Sequence, residues 1–299
     1  MKLDIEKKKK YIKICRLEYF DVSQIFDCGQ SFRFDPVPES QHEKEFSGIA
    51  FGRFVSFAQD KDTLYIYGAD DKDLDLWLSF LSLDIDYGKI RADIAAHCES
   101  DIMLEAMDTG RGIRILRQDP FETVVSFIIS QNNNIPRIKK IIENLSRECG
   151  EPVVLDEELE RHVSEASSLC SFPTAQAISE LGKDGLFALK TGFRAGYIAD
   201  AVERILDGRL DLNALKADTS NERVMKELCS VRGIGPKVAS CISLFGLERY
   251  SSFPVDVWIK RVMQKYFPDV PEGFDPKEYF GSYAGIAQQY LFYYERFDV

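Results

Sequence analysis

ERVMKELCSVRGIGPKVASCISLF (222–245) reads as a helix, a tight turn and a second helix. Apolar residues recur at helical spacing on both sides of Gly-Ile-Gly, and Pro236 stands at a first-turn position, where a missing N–H costs nothing. The two glycines, Gly233 and Gly235, give the turn access to positive φ and let a bound group approach the backbone. The N–H groups that open the second helix point outward, so the turn is suited to hold a phosphate without a basic surface. Lys237 lies in that first turn, where a charge of about +0.5 from unpaired N–H groups disfavours a cation. The position suits a lysine that works as a neutral amine, because burial and a helix N-terminus both favour the uncharged form that a nucleophile needs. A lysine that reaches solvent or pairs with a phosphate fits the same sequence.

Outward from the hairpin, the helical period persists over most of the chain. It is legible in FETVVSFIIS (121–130), PRIKKIIENLSREC (136–149), TAQAISELG (174–182), YIADAVERILDG (197–208) and YAGIAQQYLFYYERF (283–297). The first 70 residues differ. Aromatic and polar residues alternate in SFRF (31–34), FVSF (54–57) and LYIY (64–67), separated by turn-rich DPVPES and AQDKDT, which predicts an antiparallel sheet. The expected fold is α+β: an N-terminal antiparallel β-sheet domain, 1–100, followed by an all-helical domain, 101–299, with the hairpin at about 222–248. A chain of 299 residues with 45% apolar content can bury cores for both.

Composition narrows the function. Seven cysteines, an odd number without CxxC spacing, and three isolated histidines point away from a disulfide framework, a zinc site or a redox cofactor. MKLDIEKKKK carries no apolar run, and no stretch approaches the ~20 apolar residues that span a bilayer, so an intracellular protein without membrane contact is expected. The formal charge of −11 argues against bulk electrostatic capture of nucleic acid. The acidity is uneven, however, with Asp60, Asp62, Asp70, Asp71, Asp73, Asp75, Asp84 and Asp86 crowded into one region.

Asp256 in SSFPVDVWIKR follows a proline by two residues and opens the next helix, as an N-cap does. Beside a neutral lysine, its carboxylate could also stabilise positive charge developing on a sugar. Gly233 through Asp256 resembles the helix-hairpin-helix base-excision DNA glycosylases, with their Gly-x-Gly hairpin, lysine and downstream Pro-x-Asp. Within these the chain is most similar to the 8-oxoguanine DNA glycosylases. The likeness runs through DCGQSFRF, ILRQDPFETVVSFIISQNNNIPRI, GFRAGYI, GIGPKVASC, FPVDV and YAGIAQQYLF, in that order.

The resemblance implies an enzyme that flips a damaged nucleotide out of duplex DNA, excises 8-oxoguanine through a lysine Schiff base, and cleaves the strand by β-elimination. Lys237 would be the nucleophile and Asp256 the stabilising carboxylate. Cys241 and Phe292 would sandwich the base and Gln288 would meet its Watson–Crick edge. The backbone carbonyl of Gly29 would accept from the N7–H that the lesion has and guanine lacks. Asn132 would fill the vacated stack, Arg137 and Arg194 would read the estranged cytosine, and Phe193 would wedge the opposite strand. Gly233 and Gly235 would hold phosphate. A structural monovalent or calcium ion would rest on the carbonyls of Cys229, Val231 and Ile234. No cofactor would be required, and no iron–sulfur cluster is expected, because no cysteine follows residue 241. The partner would be duplex DNA with 8-oxoguanine opposite cytosine, met by a monomer in the nucleoid or nucleus. One departure stands out: Trp258 occupies a place where eukaryotic relatives carry a histidine.

Two other readings share these residues. A monofunctional glycosylase for alkylated bases would use Asp256 with water and would not need Lys237. A non-catalytic hairpin protein would bind DNA without turnover. Read without the resemblance, Cys241, Phe292 and Phe193 are core residues, CGQ is a β-turn, and QNNN is an asparagine-rich turn.

Overall fold

The computed structural model describes residues 3–165, 167–271 and 273–297. Six strands, β1 (Asp4–Lys7), β2 (Tyr11–Cys15), β3 (Phe34–Pro36), β4 (Lys44–Ala50), β5 (Arg53–Asp60) and β6 (Thr63–Tyr67), form one antiparallel sheet in the order β1-β2-β6-β5-β4-β3. Register aligns the inward side chains: Phe46 faces Phe57, Phe57 faces Ile66, and Ile66 faces Ile12. These pack with Phe26, Trp77 and Phe80 into the sheet's core. Each such side chain contributes about 1.5–3 kcal/mol when fully buried. On the opposite face, residues 161–164 cover the middle strands. His162 Nδ1 lies 2.5 Å from Glu45 Oε1, and Ser164 N–H donates to Ser47 Oγ at 3.0 Å.

The N-terminal part is not all strand. Val22–Asp27 is a helix, capped by the Asp21 carboxylate, and Val22, Ile25 and Phe26 turn inward. Six residues, fewer than two helical turns, are too short for the period to be legible. Of SFRF only Phe34 lies in a strand. Ser31, Phe32 and Arg33 are buried in a loop instead, with Arg33 Nη2 donating to the Cys170 carbonyl at 2.6 Å.

Helices occupy the chain from Leu74 onward, among them Tyr87–His97 and Asp101–Thr109, whose period the sequence does not advertise. The two cores interleave along the chain. Cys28, Phe32, Tyr87 and Ile90 belong to the helical core, whereas Leu116 returns to the sheet's core. Arg114 locks the joint: it is 1% exposed, donates to the carbonyls of Tyr19, Ser82 and Glu18 at 2.8, 2.7 and 3.1 Å, and lies 4.4 Å over the Tyr87 ring. The loop 28–32 is thereby carried out of the sheet and into the helical domain. Among the described residues no helix is long and apolar enough to cross a membrane.

Candidate active site

The hairpin consists of helix Asn221–Cys229, a turn, and helix Pro236–Phe245. Gly233 has φ +85°, and a Cβ there would stand 2.2 Å from the Tyr197 ring, so only glycine fits. Gly235 serves another end. It is the N-cap, carries no capping side chain, and has open space where a Cβ would project. The N–H groups of the following turn are left for an external acceptor.

One turn into that helix, Lys237 and Cys241 face a cavity of about 360 Å³. It is closed by Gly29 from the 28–32 loop, Phe127 from helix Pro120–Ser130, Asp256, and Gln288 and Phe292 from helix Ala284–Phe297. Residues from five places in the sequence thus share one pocket. Lys237 Nζ lies 5.9 Å from the centroid of Phe127, whose ring also stacks on Phe245 at 5.3 Å. Burial pushes the Cys241 thiol up to about 11, against the pull of the Lys237 ammonium that hydrogen-bonds it and with the push of the Asp256 carboxylate. Cys241 is therefore a neutral, polarizable wall rather than a second nucleophile. Asp256 caps helix Val257–Tyr266: its Oδ1 accepts from Ile259 N–H at 2.9 Å, which leaves Oδ2 for the cavity.

Polar groups suited to a base line the far wall. Gln288 is 4% exposed, and its Oε1 has no hydrogen-bond partner among the described residues. A buried amide oxygen left unpaired is costly, so it marks a place where a ligand donor belongs. Gly29 has φ +78°, with Phe292 and Ile135 each 3.8 Å from where its Cβ would be. Trp258 stands at the rim, 37% exposed, with the Arg261 guanidinium 5.1 Å over its ring. Trp258 thus gives the rim an aromatic face with a cation beside it. Sequence reasoning did not single out Phe127 or Gln289, which also line the pocket.

The three asparagines divide their work. Asn133 Nδ2 donates to the Ile129 carbonyl at 3.2 Å, and Asn134 caps the next helix by accepting from Arg137 N–H at 3.0 Å. Asn132, exposed at φ +48°, is presented outward; asparagine tolerates this left-handed region better than most residues. Arg137 is exposed. Arg194 is only 3% exposed, and its guanidinium is largely committed: Nε donates to the Gln131 carbonyl at 2.9 Å, Nη1 to Thr191 at 3.2 Å, and Nη2 to both Gln131 and Asn132. Arg194 therefore builds the turn that displays Asn132, with one of its five N–H donors left without a partner among the described residues. Phe193 beside it is 56% exposed and braced edge-on by Tyr197 at 5.7 Å, the same ring that seats Gly233.

Comparison with known proteins gives this arrangement a context. Residues 12–124 match the family described as 8-oxoguanine DNA glycosylase, N-terminal domain, and residues 125–272 the HhH-GPD superfamily of base excision DNA repair proteins. The N-glycosylase/DNA lyase OGG1 of Arabidopsis thaliana is 30% identical over 293 residues, covering 89% of this chain and 75% of that protein. The chain belongs to the 8-oxoguanine DNA glycosylase family. Another relative of the family, the 8-oxoguanine glycosylase/lyase of Clostridium acetobutylicum, solved with duplex DNA containing cytosine opposite 8-oxoguanine, is 38% identical. It superimposes with a TM-score of 0.88 over 100% of this chain and 99% of that one. The 3-methyladenine DNA glycosylase of Archaeoglobus fulgidus, at 18% identity and a TM-score of 0.70, shares the fold.

Proposed function

We propose that this 8-oxoguanine DNA glycosylase family member excises 8-oxoguanine from duplex DNA, opposite cytosine, and then cleaves the strand as an AP lyase. One observation carries the reading: Lys237 and Asp256 line the same cavity as Gly29, Gln288 and Phe292, so nucleophile, carboxylate and base-binding groups converge on one nucleotide. The Lys237 side-chain nitrogen attacks C1′ as the base departs, and the Asp256 carboxylate stabilises the cationic sugar in the transition state. Ring opening gives a Schiff base, and loss of a C2′ proton expels the 3′ phosphate. Cys241 and Phe292 flank the purine, Gln288 takes a donor from its Watson–Crick edge, and the Gly29 carbonyl senses N7–H. Asn132 fills the gap while Arg137 and the remaining N–H of Arg194 meet the cytosine, with Phe193 as the wedge.

The chemistry runs on side chains, without a cofactor. In the hairpin, Cys229 is the last residue of its helix; the preceding carbonyls of Lys226 and Glu227 already accept from Ser230 N–H and that of Leu228 from Val231 N–H, and the Val231 carbonyl accepts from Ile234 N–H at 3.0 Å. Together with the Ile234 carbonyl, the carbonyls of Cys229 and Val231 would hold a monovalent cation more readily than calcium, for which carboxylates are the stronger ligands. We place the enzyme as a monomer with the genome, in nucleoid or nucleus.

Duplexes with 8-oxoguanine opposite each of the four bases, incubated with and without borohydride, test the reading. Base release, strand cleavage and a trapped covalent adduct, greatest opposite cytosine, are the expected results. Release of alkylated bases alone, or binding without turnover, would overturn it.

The hairpin glycines separate two roles. Gly233→Ala forces a Cβ into the Tyr197 ring at positive φ, and is expected to lower stability by about 2 kcal/mol and DNA affinity with it. Gly235→Ala meets nothing in the free protein, so its melting temperature is expected to hold while a methyl placed against the phosphate weakens DNA binding about tenfold. Thermal melts beside binding titrations on both variants check the contrast.

A further inference from the structure

The residue that would tell 8-oxoguanine from guanine has no side chain, so something else must aim its carbonyl. Gly29, at φ +78°, is the most freely rotating point of the loop. Side-chain amides bracket it. Gln289 Nε2 donates to the Cys28 carbonyl at 2.6 Å, and Gln118 Nε2 donates to the Gln30 carbonyl at 2.8 Å. Gln30 is fixed in turn, donating to the carbonyls of Ile25 and Arg114 at 2.9 and 2.8 Å and accepting from Leu116 N–H at 2.8 Å. Because a peptide unit is planar, holding the Cys28 oxygen also holds the Gly29 nitrogen, and holding the Gln30 oxygen anchors the Gln30–Ser31 peptide, one unit beyond the Gly29 carbonyl. Between these tethers the Gly29 carbonyl has little freedom.

Gln289 is the tether that comes from the pocket-lining helix Ala284–Phe297. It is 3% exposed, lines the pocket, and follows Gln288 on the helix that also carries Phe292. We infer that Gln289 is a positioning residue for lesion discrimination: its amide sets the Cys28–Gly29 peptide plane and hence the direction in which the Gly29 carbonyl meets the N7–H of the oxidised purine. The inference rests on the proposed function of the pocket. A single helix turn then does two things: Gln288 reads one edge of the base, and Gln289 holds the acceptor that reads the other.

The test compares two reactions of the full-length protein. Excision of 8-oxoguanine needs the Gly29 carbonyl, whereas cleavage at a preformed abasic site has no base to read. For Gln289→Met, similar in length but without a donor, the ratio of 8-oxoguanine excision to abasic cleavage under single turnover is expected to fall about tenfold or more. Gln289→Glu supplies a readout that a merely structural role would not move. Its ionised carboxylate cannot donate to the Cys28 oxygen but its protonated form can, so the same ratio is expected to recover as pH falls. Equal loss of both reactions in Gln289→Met, an unchanged ratio, or a flat pH profile for Gln289→Glu would overturn the positioning role while leaving the pocket's function intact. Wild-type protein that cleaves abasic sites but releases no 8-oxoguanine would overturn the pocket reading and this inference together.

Discussion

Lys237→Gln is expected to abolish 8-oxoguanine release and borohydride trapping together while leaving the fold and DNA binding nearly intact. Glutamine keeps a polar side chain with similar helix propensity, and the lysine it replaces is only half-buried, so the helix Pro236–Phe245 should persist. What disappears is the amine. Without it no Schiff base can form, and single-turnover excision should drop by at least about 10³-fold, some 4 kcal/mol of lost transition-state stabilisation. Loss of one cation should change the salt dependence of binding by about one charge at most. A variant that still traps at the wild-type rate would remove Lys237 from the mechanism. The alternative of water activated by Asp256 predicts the opposite pattern: no trapping by wild type and little effect of the substitution on base release.

The acidic composition, which points away from nucleic-acid binding, has a structural resolution. Much of the crowded acid is engaged at the sheet and its joint: Asp71 pairs with Lys7 at 3.5 Å, Asp73 with Arg53, and Asp84 with Arg117 at 2.7 Å. Lys237 instead lines the pocket, Arg261 lies over Trp258 at its rim, and the open N–H groups after Gly235 belong to the hairpin. Contacts of this kind hold phosphates through backbone geometry, so the global charge is a poor guide to whether DNA binds.

Local chemistry was the legible part of the sequence. The Gly-Ile-Gly hairpin, the i,i+4 pairing of Lys237 with Cys241, the Asp256 cap and the strands around FVSF and LYIY all follow from neighbours within one or two turns. The less legible features depend on partners far away in the chain. Gln289 and Cys28, which share a hydrogen bond, are 261 positions apart, and neither residue carries a sign of the other. For Arg194 the resemblance implied a base reader, and the commitment of its guanidinium was not legible because most of the carbonyls that occupy it, those of Gln131 and Asn132, belong to residues some 60 positions earlier. An arginine that builds a turn and one that reads a base are the same residue type and differ in burial, which the sequence does not carry. Phe127 was concealed by its surroundings, since one pocket-facing ring inside an apolar helix is indistinguishable from its core neighbours.

Asp256→Asn should separate two functions that one carboxylate combines. Asparagine is as good an N-cap as aspartate, so the bond from Ile259 N–H, and with it the helix Val257–Tyr266, should survive at a cost below about 1 kcal/mol from the lost helix-dipole interaction. Catalysis has no such substitute. The neutral amide offers a dipole where the cationic sugar requires a full negative charge, and the pocket's partial burial makes that difference large. Base release is expected to fall about 10³-fold, equivalent to about 4 kcal/mol, with DNA affinity unchanged or raised as one negative charge leaves the site. Asp256→Ala is the contrasting variant: it should lose catalysis to the same degree and about 1 kcal/mol of stability as well. Equal melting temperatures for wild type and Asp256→Asn, with single-turnover rates far apart, would assign the cap to either side chain and the chemistry to the charge alone. If Asp256→Asn instead kept most of the rate, stabilisation of the sugar would have to come from elsewhere in the pocket, and Asp256 would be a cap and nothing more.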